Sequence, residues 1–162
     1  ARRMPGPLHK QHIAHSGYAV SAMSTRTDLS DVLASLTLFA DLTRPKLDLA
    51  AHTFEEVFFR EGQRVLRRGF SHPNLYVILE GEAMVVIEGT DRARLHRGDF
   101  FGEVSVLLGE PATADVVAIT PLRCVTVTDR DLRKFLLAHP EVTLRLLQAE
   151  ARRLRQTNEW RP

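Results

Sequence analysis

The densest chemistry in this 162-residue chain lies between Arg97 and Ala114, where RGDFFGEVSVLLGEPATA sets glycines, acids and a proline among apolar residues. The stretch reads as a strand end, a tight turn at Gly102, one or two turns of helix closed by Gly109, and a strand after Pro111. A helix starting just past Gly102 turns free backbone N–H groups toward whatever lies before it, and glycine lets a ligand approach the backbone closely. Those donors favour an anion. Glu103 repels a bare phosphate but accepts a hydrogen bond from a hydroxyl, so the combination suits a sugar phosphate.

Other chemistry finds no footing. The sequence holds no nucleophile elbow, no phosphate-gripping lysine loop and no paired zinc histidines. A metal enzyme built on a β-roll needs histidines clustered on adjacent strands, whereas His52, His72, His96 and His139 are scattered. His9, His12 and His15 step by three, a spacing open to a metal, but they sit in a segment that reads as a flexible tail. The chain is therefore expected to be neither an enzyme nor a holder of cofactor or metal. Cys124, the one cysteine, cannot form an internal disulfide, which points to a reducing, cytoplasmic setting.

The elements that must position the Arg97–Ala114 stretch follow from punctuation and periodicity. Residues 1–26 mix prolines, glycines and histidines without a sustained period and read as a disordered N-terminal tail, with the folded domain at 27–162. Asp28 and Ser30 are candidate caps for a short helix carrying Val32, Leu33 and Leu36, and Thr43 for a second with Pro45 in its first turn. Seven of the nine glycines then fall between 62 and 109, separating short apolar runs at Leu75–Leu79, Ala83–Ile87 and around Ala93 and Leu95. Further strands are expected at Val116–Ile119 and around Leu122 and Cys124. Strands this short, at this spacing, indicate an antiparallel β-roll or jelly-roll-like barrel with flanking helices, an α+β chain that is mainly β. Helix returns over Asp129–Ala138, breaks at Pro140 and resumes from Glu141 to about Asn158. There Leu144, Leu147, Ala151 and Leu154 form a narrow apolar seam, suited either to a second helix or to the chain's own roll.

Charge argues against nucleic acid. The net charge of +2 conceals +4 on residues 1–26, from Arg2, Arg3, Lys10 and Arg26, against −2 on the rest. A domain that grips phosphate backbones shows its basic excess in the folded part. No apolar run approaches the roughly 18 residues of a membrane span.

Phe101-Gly102-Glu103-Val104-Ser105-Val106-Leu107 followed by Pro111 resembles the phosphate-binding cassette of cyclic nucleotide-binding domains. Glu61-Gly62, Arg68-Gly69, Leu75 through Gly81 and Arg97 through Phe101 stand upstream in the family's order and spacing, so the resemblance covers roughly residues 29–160. The C-terminal third is most similar to the sensor domain of the cAMP receptor protein family, through His139-Pro140-Glu141 and Ala151-Arg152-Arg153-Leu154. The resemblance implies a regulatory module with cAMP or cGMP as candidate ligand, dimeric through residues 141–158. It implies that Gly102 and Ser105 line the phosphate wall, that Glu103 takes the ribose 2′-hydroxyl, that Thr113 faces phosphate, and that Thr157 and Asn158 meet the base.

One departure stands out. Where the family places a phosphate-binding arginine, this chain has Ala112, with Asp115 close behind. A charge-assisted pair contributes roughly 1.5–3 kcal/mol, so its loss weakens binding by about ten- to a hundredfold. Ala112→Arg is accordingly expected to strengthen it, with Arg92, Arg94 and Arg97 as alternative sources of charge. Two rival readings stand beside the sensor: a degenerate roll that serves protein association alone, and the sensor fragment of a transcription regulator whose DNA-binding domain lies outside these residues.

Overall fold

The computed structural model describes residues 26–71 and 74–159; the tail assigned to 1–26, its three histidines and His72 lie outside that range, save for Arg26. The chain begins with α1 (Arg26–Ala34), a 3-10 turn (Thr37–Phe39) and α2 (Arg44–Thr53). Eight strands follow: β1 (Glu55–Phe59), β2 (Arg64–Leu66), β3 (Leu75–Glu80), β4 (Ala83–Ile87), β5 (Thr90–Leu95), β6 (Phe100–Phe101), β7 (Asp115–Ala118) and β8 (Leu122–Val127). Helix α3 (Glu103–Leu108) interrupts them, and α4 (Asp129–Ala138) and α5 (Pro140–Glu159) close the chain. The strands form two four-stranded antiparallel sheets, ordered β1-β8-β3-β6 and β2-β7-β4-β5. This is the β-roll with flanking helices that the spacing of the glycines implied.

Period-two alternation makes β3 and β8 the shared wall between two cores. Leu75, Val77 and Leu79 of β3, with Val125 and Val127 of β8, join an outer core beneath the helices. Ile78 and Cys124 point the other way, into a second core inside the roll with Ala83, Leu95, Phe101 and Val116. Burial pushes the Cys124 thiol up to about 12, so this side chain packs as a small apolar group.

Helix boundaries show where burial outweighs capping. The first helix starts at Arg26, so Ser30 lies within it, 1% exposed, instead of capping it. Leu29 and Leu33 are buried beside it, and their packing extends the helix past the cap candidates. Thr43 sits at the N-cap position of α2, with Pro45 in the first turn, but its side chain makes no capping hydrogen bond. Thr128 caps α4 by accepting the Asp131 N–H, and Pro140 is the first residue of α5, where its missing N–H costs nothing.

The helices are bolted to one another by aromatic packing. Phe39, Phe54 and Phe135 meet edge to face, with ring centroids 5.5, 5.2 and 6.4 Å apart. Phe135→Ala removes the ring that α4 contributes. Equilibrium urea unfolding is expected to show a loss of about 3–5 kcal/mol; a loss under about 1 kcal/mol would mean that the cluster repacks without it.

Candidate functional site

The turn that opens the site is sterically determined. Gly102 has φ +86, and a Cβ at this position would sit 2.1 Å from the Asn74 carbonyl oxygen at the start of β3. Only glycine permits both the left-handed backbone and that crossing. The chain then enters α3, which ends at Gly109, again left-handed, with its N–H donating to the Ser105 carbonyl at 2.9 Å. Tyr76 of β3 stacks on Phe101 at 5.0 Å and fixes the strand that delivers the turn.

Glu103 is the buried charge of the site, 5% exposed. Its carboxylate accepts a hydrogen bond from Arg153 of α5 at 2.9 Å. The same guanidinium donates to Glu150 at 2.9 Å and to the Phe100 carbonyl at 2.6 Å, and it lies 4.3 Å over the Phe100 ring. Desolvation raises Glu103 from its ordinary 4.5 to about 7; Arg153 opposes that rise and Glu150 adds to it. The pairing brings together residues fifty positions apart and sets α5 across the mouth of the turn.

Beneath that helix lies a cavity of about 1250 Å³. One wall is apolar, from Leu66, Val85, Ile87, Leu95 and Val116 on the inner face of the roll. Opposite stands a face of α5 at three- and four-residue spacing: Arg145, Ala149, Arg152 and Gln156, with Arg153 and Thr157 beside them. An apolar wall facing convergent polar groups suits a flat heterocycle carrying a sugar and an anion. Among the described residues, six arginines and three carboxylates (Asp91, Asp99 and Glu103) line it. No group of three or more His, Cys, Asp or Glu among the described residues is placed to hold a metal.

Of the residues singled out from sequence, Phe101, Gly102, Glu103, Val104, Ser105, Thr113 and Thr157 all line this cavity. Ala112 and Asn158 do not. The Ala112 methyl packs into the inner core with Leu66 and Val116, while its backbone is tied to the β2 loop: its N–H donates to the Phe70 carbonyl, and its carbonyl accepts the Gly69 N–H. An arginine grafted at 112 must leave that packed cluster to reach the cavity, which tempers the gain expected of Ala112→Arg. Thr113 is the cavity-facing neighbour. Asp115 accepts the Arg68 N–H at 2.8 Å, which turns it toward the same loop and away from the ligand space. Asn158 lies on the exposed side of α5. Sequence reasoning missed Arg153, Arg145 and Gln156, whose signal was a second helical spacing adjacent to the leucine seam.

The Glu103 environment has a pH signature. Below about 4.5 the carboxyl is protonated in the folded and unfolded chain alike. Between 4.5 and about 7 the unfolded chain ionises first, so folded stability falls as pH rises, and above 7 the full penalty is present. The stability of the unmodified chain relative to Glu103→Gln is therefore expected to drop across that window in urea unfolding and to stay level above it. A difference that is constant with pH would show that the buried carboxyl ionises as freely as an exposed one.

Comparison with known proteins agrees with this geometry. A family model described as cyclic nucleotide-binding domain matches residues 56–139, just over half of the chain. The chain is 29% identical over 136 residues to a CRP-like cAMP-activated global transcriptional regulator of Mycobacterium tuberculosis, covering 80% of this chain and 60% of that one. It is 33% identical over 100 residues to a cGMP-dependent protein kinase of Eimeria tenella, covering 62% of this chain and 10% of the kinase. In both cases it spans less than two thirds of the relative. The Thermus thermophilus catabolite activator protein superposes with a TM-score of 0.68 at 27% identity, over 75% of this chain and 60% of that one.

Proposed function

Because the chain belongs to the cyclic nucleotide-binding domain family, we propose that it is a regulatory sensor whose cavity takes a cyclic nucleotide, cAMP or cGMP, with affinity lowered by alanine at position 112. The observation that carries the reading is Glu103: a buried acceptor, set directly after a glycine turn, on the floor of a cavity with an apolar wall. Glu103 takes a ribose hydroxyl, and the backbone at Gly102 and Ser105 faces the phosphate. The inner face of the roll takes the base, with Thr157 at the α5 side. The module works in the cytoplasm and carries out no catalysis of its own.

Arg153 gives such binding an output. A ribose hydroxyl at Glu103 competes for the carboxylate that holds α5, so ligand and helix position are thermodynamically linked. The same helix exposes Leu144, Leu147 and Leu154, at 55%, 63% and 62%. That seam supports a homodimer formed through residues 141–158, and it equally supports the second reading, in which a roll without ligand serves association alone. A transcription-regulator role needs a DNA-binding segment beyond these residues.

Calorimetric titration with cAMP and with cGMP separates the two readings. Binding is expected, and a Kd below about 10 μM would show that another group supplies the charge of the missing arginine. Absence of heat and of any thermal shift with both nucleotides at millimolar concentration, on the order of 4 kcal/mol of binding energy, would leave association as the function. For the dimer, Leu147→Glu with Leu154→Glu is expected to give monomers in sedimentation velocity. An unmodified chain that already sediments as a monomer at roughly tens of micromolar would show that the seam is not a dimer interface.

A further inference from the structure

Without an arginine at 112, the phosphate of a bound nucleotide still needs a countercharge, because an unpaired anion is costly to desolvate. The arginines lining the cavity differ sharply in what they already hold. Arg94 pairs with Glu82, and Arg97 donates to the Leu79 carbonyl and to Ser35. Arg145 makes two hydrogen bonds to Asp41, at 2.7 and 2.9 Å, and Arg153 is engaged with Glu103, Glu150 and Phe100. Arg92 and Arg152 have no hydrogen-bond or ion-pair partner among the described residues, yet both line the cavity.

Their placement is specific. On β5, Ala93 pairs with Val85 and Asp91 with the adjacent Val86, so Arg92 is an extra residue with no partner opposite. That is a β-bulge, which breaks strand alternation and re-aims a side chain. Arg152 lies on α5 between Ala149 and Gln156, one turn from each and on the same cavity-lining face. The cavity's carboxylates do not cancel this charge: Glu103 holds Arg153, and Asp91 and Asp99 stand against Arg92, Arg97 and Arg152, none of which is paired with a carboxylate among the described residues.

We propose that Arg92 of the β5 bulge and Arg152 of α5 together hold the phosphate of the bound nucleotide, in place of the arginine absent at 112. The inference rests on the nucleotide reading above and adds the residues that confer affinity for the anion. It makes phosphate a bridge between the sheet and the C-terminal helix, with the cassette backbone at Gly102 and Ser105 on its remaining side.

The test is calorimetry on the full chain and on Arg92→Gln and Arg152→Gln, with cAMP, adenosine 5′-monophosphate and adenosine as probes. Each substitution is expected to weaken both phosphate-bearing probes about tenfold, the size of one charge-assisted contact, and to leave adenosine unchanged. Tighter binding of the monophosphate than of cAMP would identify a phosphomonoester dianion as the preferred form, with the same two arginines holding it. If cAMP and the monophosphate bind but neither substitution weakens them, the arginine pair is overturned and the nucleotide reading stands. If neither phosphate binds more tightly than adenosine, the pair is also overturned. If no probe binds at all, the nucleotide reading fails and takes the pair with it. Thermal melting of the unliganded variants, both at exposed positions, checks that any loss is not unfolding.

Discussion

The contact of Arg153 with Glu103 is where the roll, the cassette turn and the C-terminal helix meet. One planar guanidinium satisfies a buried carboxylate, a second carboxylate and a backbone carbonyl, and covers an aromatic ring. The energetics are closely balanced. Desolvation outweighs the arginine, since Glu103 still rises to about 7. A pair of this kind adds little net stability, but breaking it strands a charge in a dry place. It is therefore better suited to choosing between two arrangements than to holding the fold together, and the aromatic and aliphatic cores do the latter.

Two features keep that contact poised. Gly102 can cross the Asn74 carbonyl only because it lacks a side chain, and this crossing sinks Glu103 below the surface. On the other side, the first half of α5 is anchored independently: Val142 and Leu146 enter the outer core, Arg145 grips Asp41, and Lys46 pairs with Glu141. The helix start thus stays seated whether or not Arg153 is engaged.

Legibility from the sequence followed contact range. The turn, its glycine and its glutamate are neighbours in the chain, so spacing alone placed them together. The strands at Leu75–Glu80 and Leu122–Val127 were plain because they are largely buried on both faces, and Ala83–Ile87 because it is an unbroken apolar run. The edge strand β1, with the half-exposed charges of Glu55–Phe59, and the three-residue β2 carried a weaker pattern and needed their partners β8 and β7 to define them. Arg153 reaches Glu103 across fifty residues, a contact that no local period announces. The inward turn of Ala112 depends on its ties to Gly69 and Phe70, and the freedom of Arg92 depends on a register shift against β4. These are properties of pairing, and they were hidden until the sheets were assembled. The start of α1 shows the reverse case, a readable cap overruled by burial.

The division of α5 into an anchored half and an outer half gives it the form of a lever, with Ala149 the last residue packed against the outer core. At about 1.5 Å per residue, the stretch from Ala149 to Glu159 is ~15 Å long. A tilt of about 20° at Ala149 carries the tip by ~5 Å, the height of one helical turn. Arg153 grips this arm roughly 6 Å from Ala149, so a displacement of about 2 Å at the guanidinium is multiplied more than twofold at the far end. On the proposed sensor function, exchange of partners at a single carboxylate would thereby reach the helix tip as a movement large enough for another macromolecule to detect.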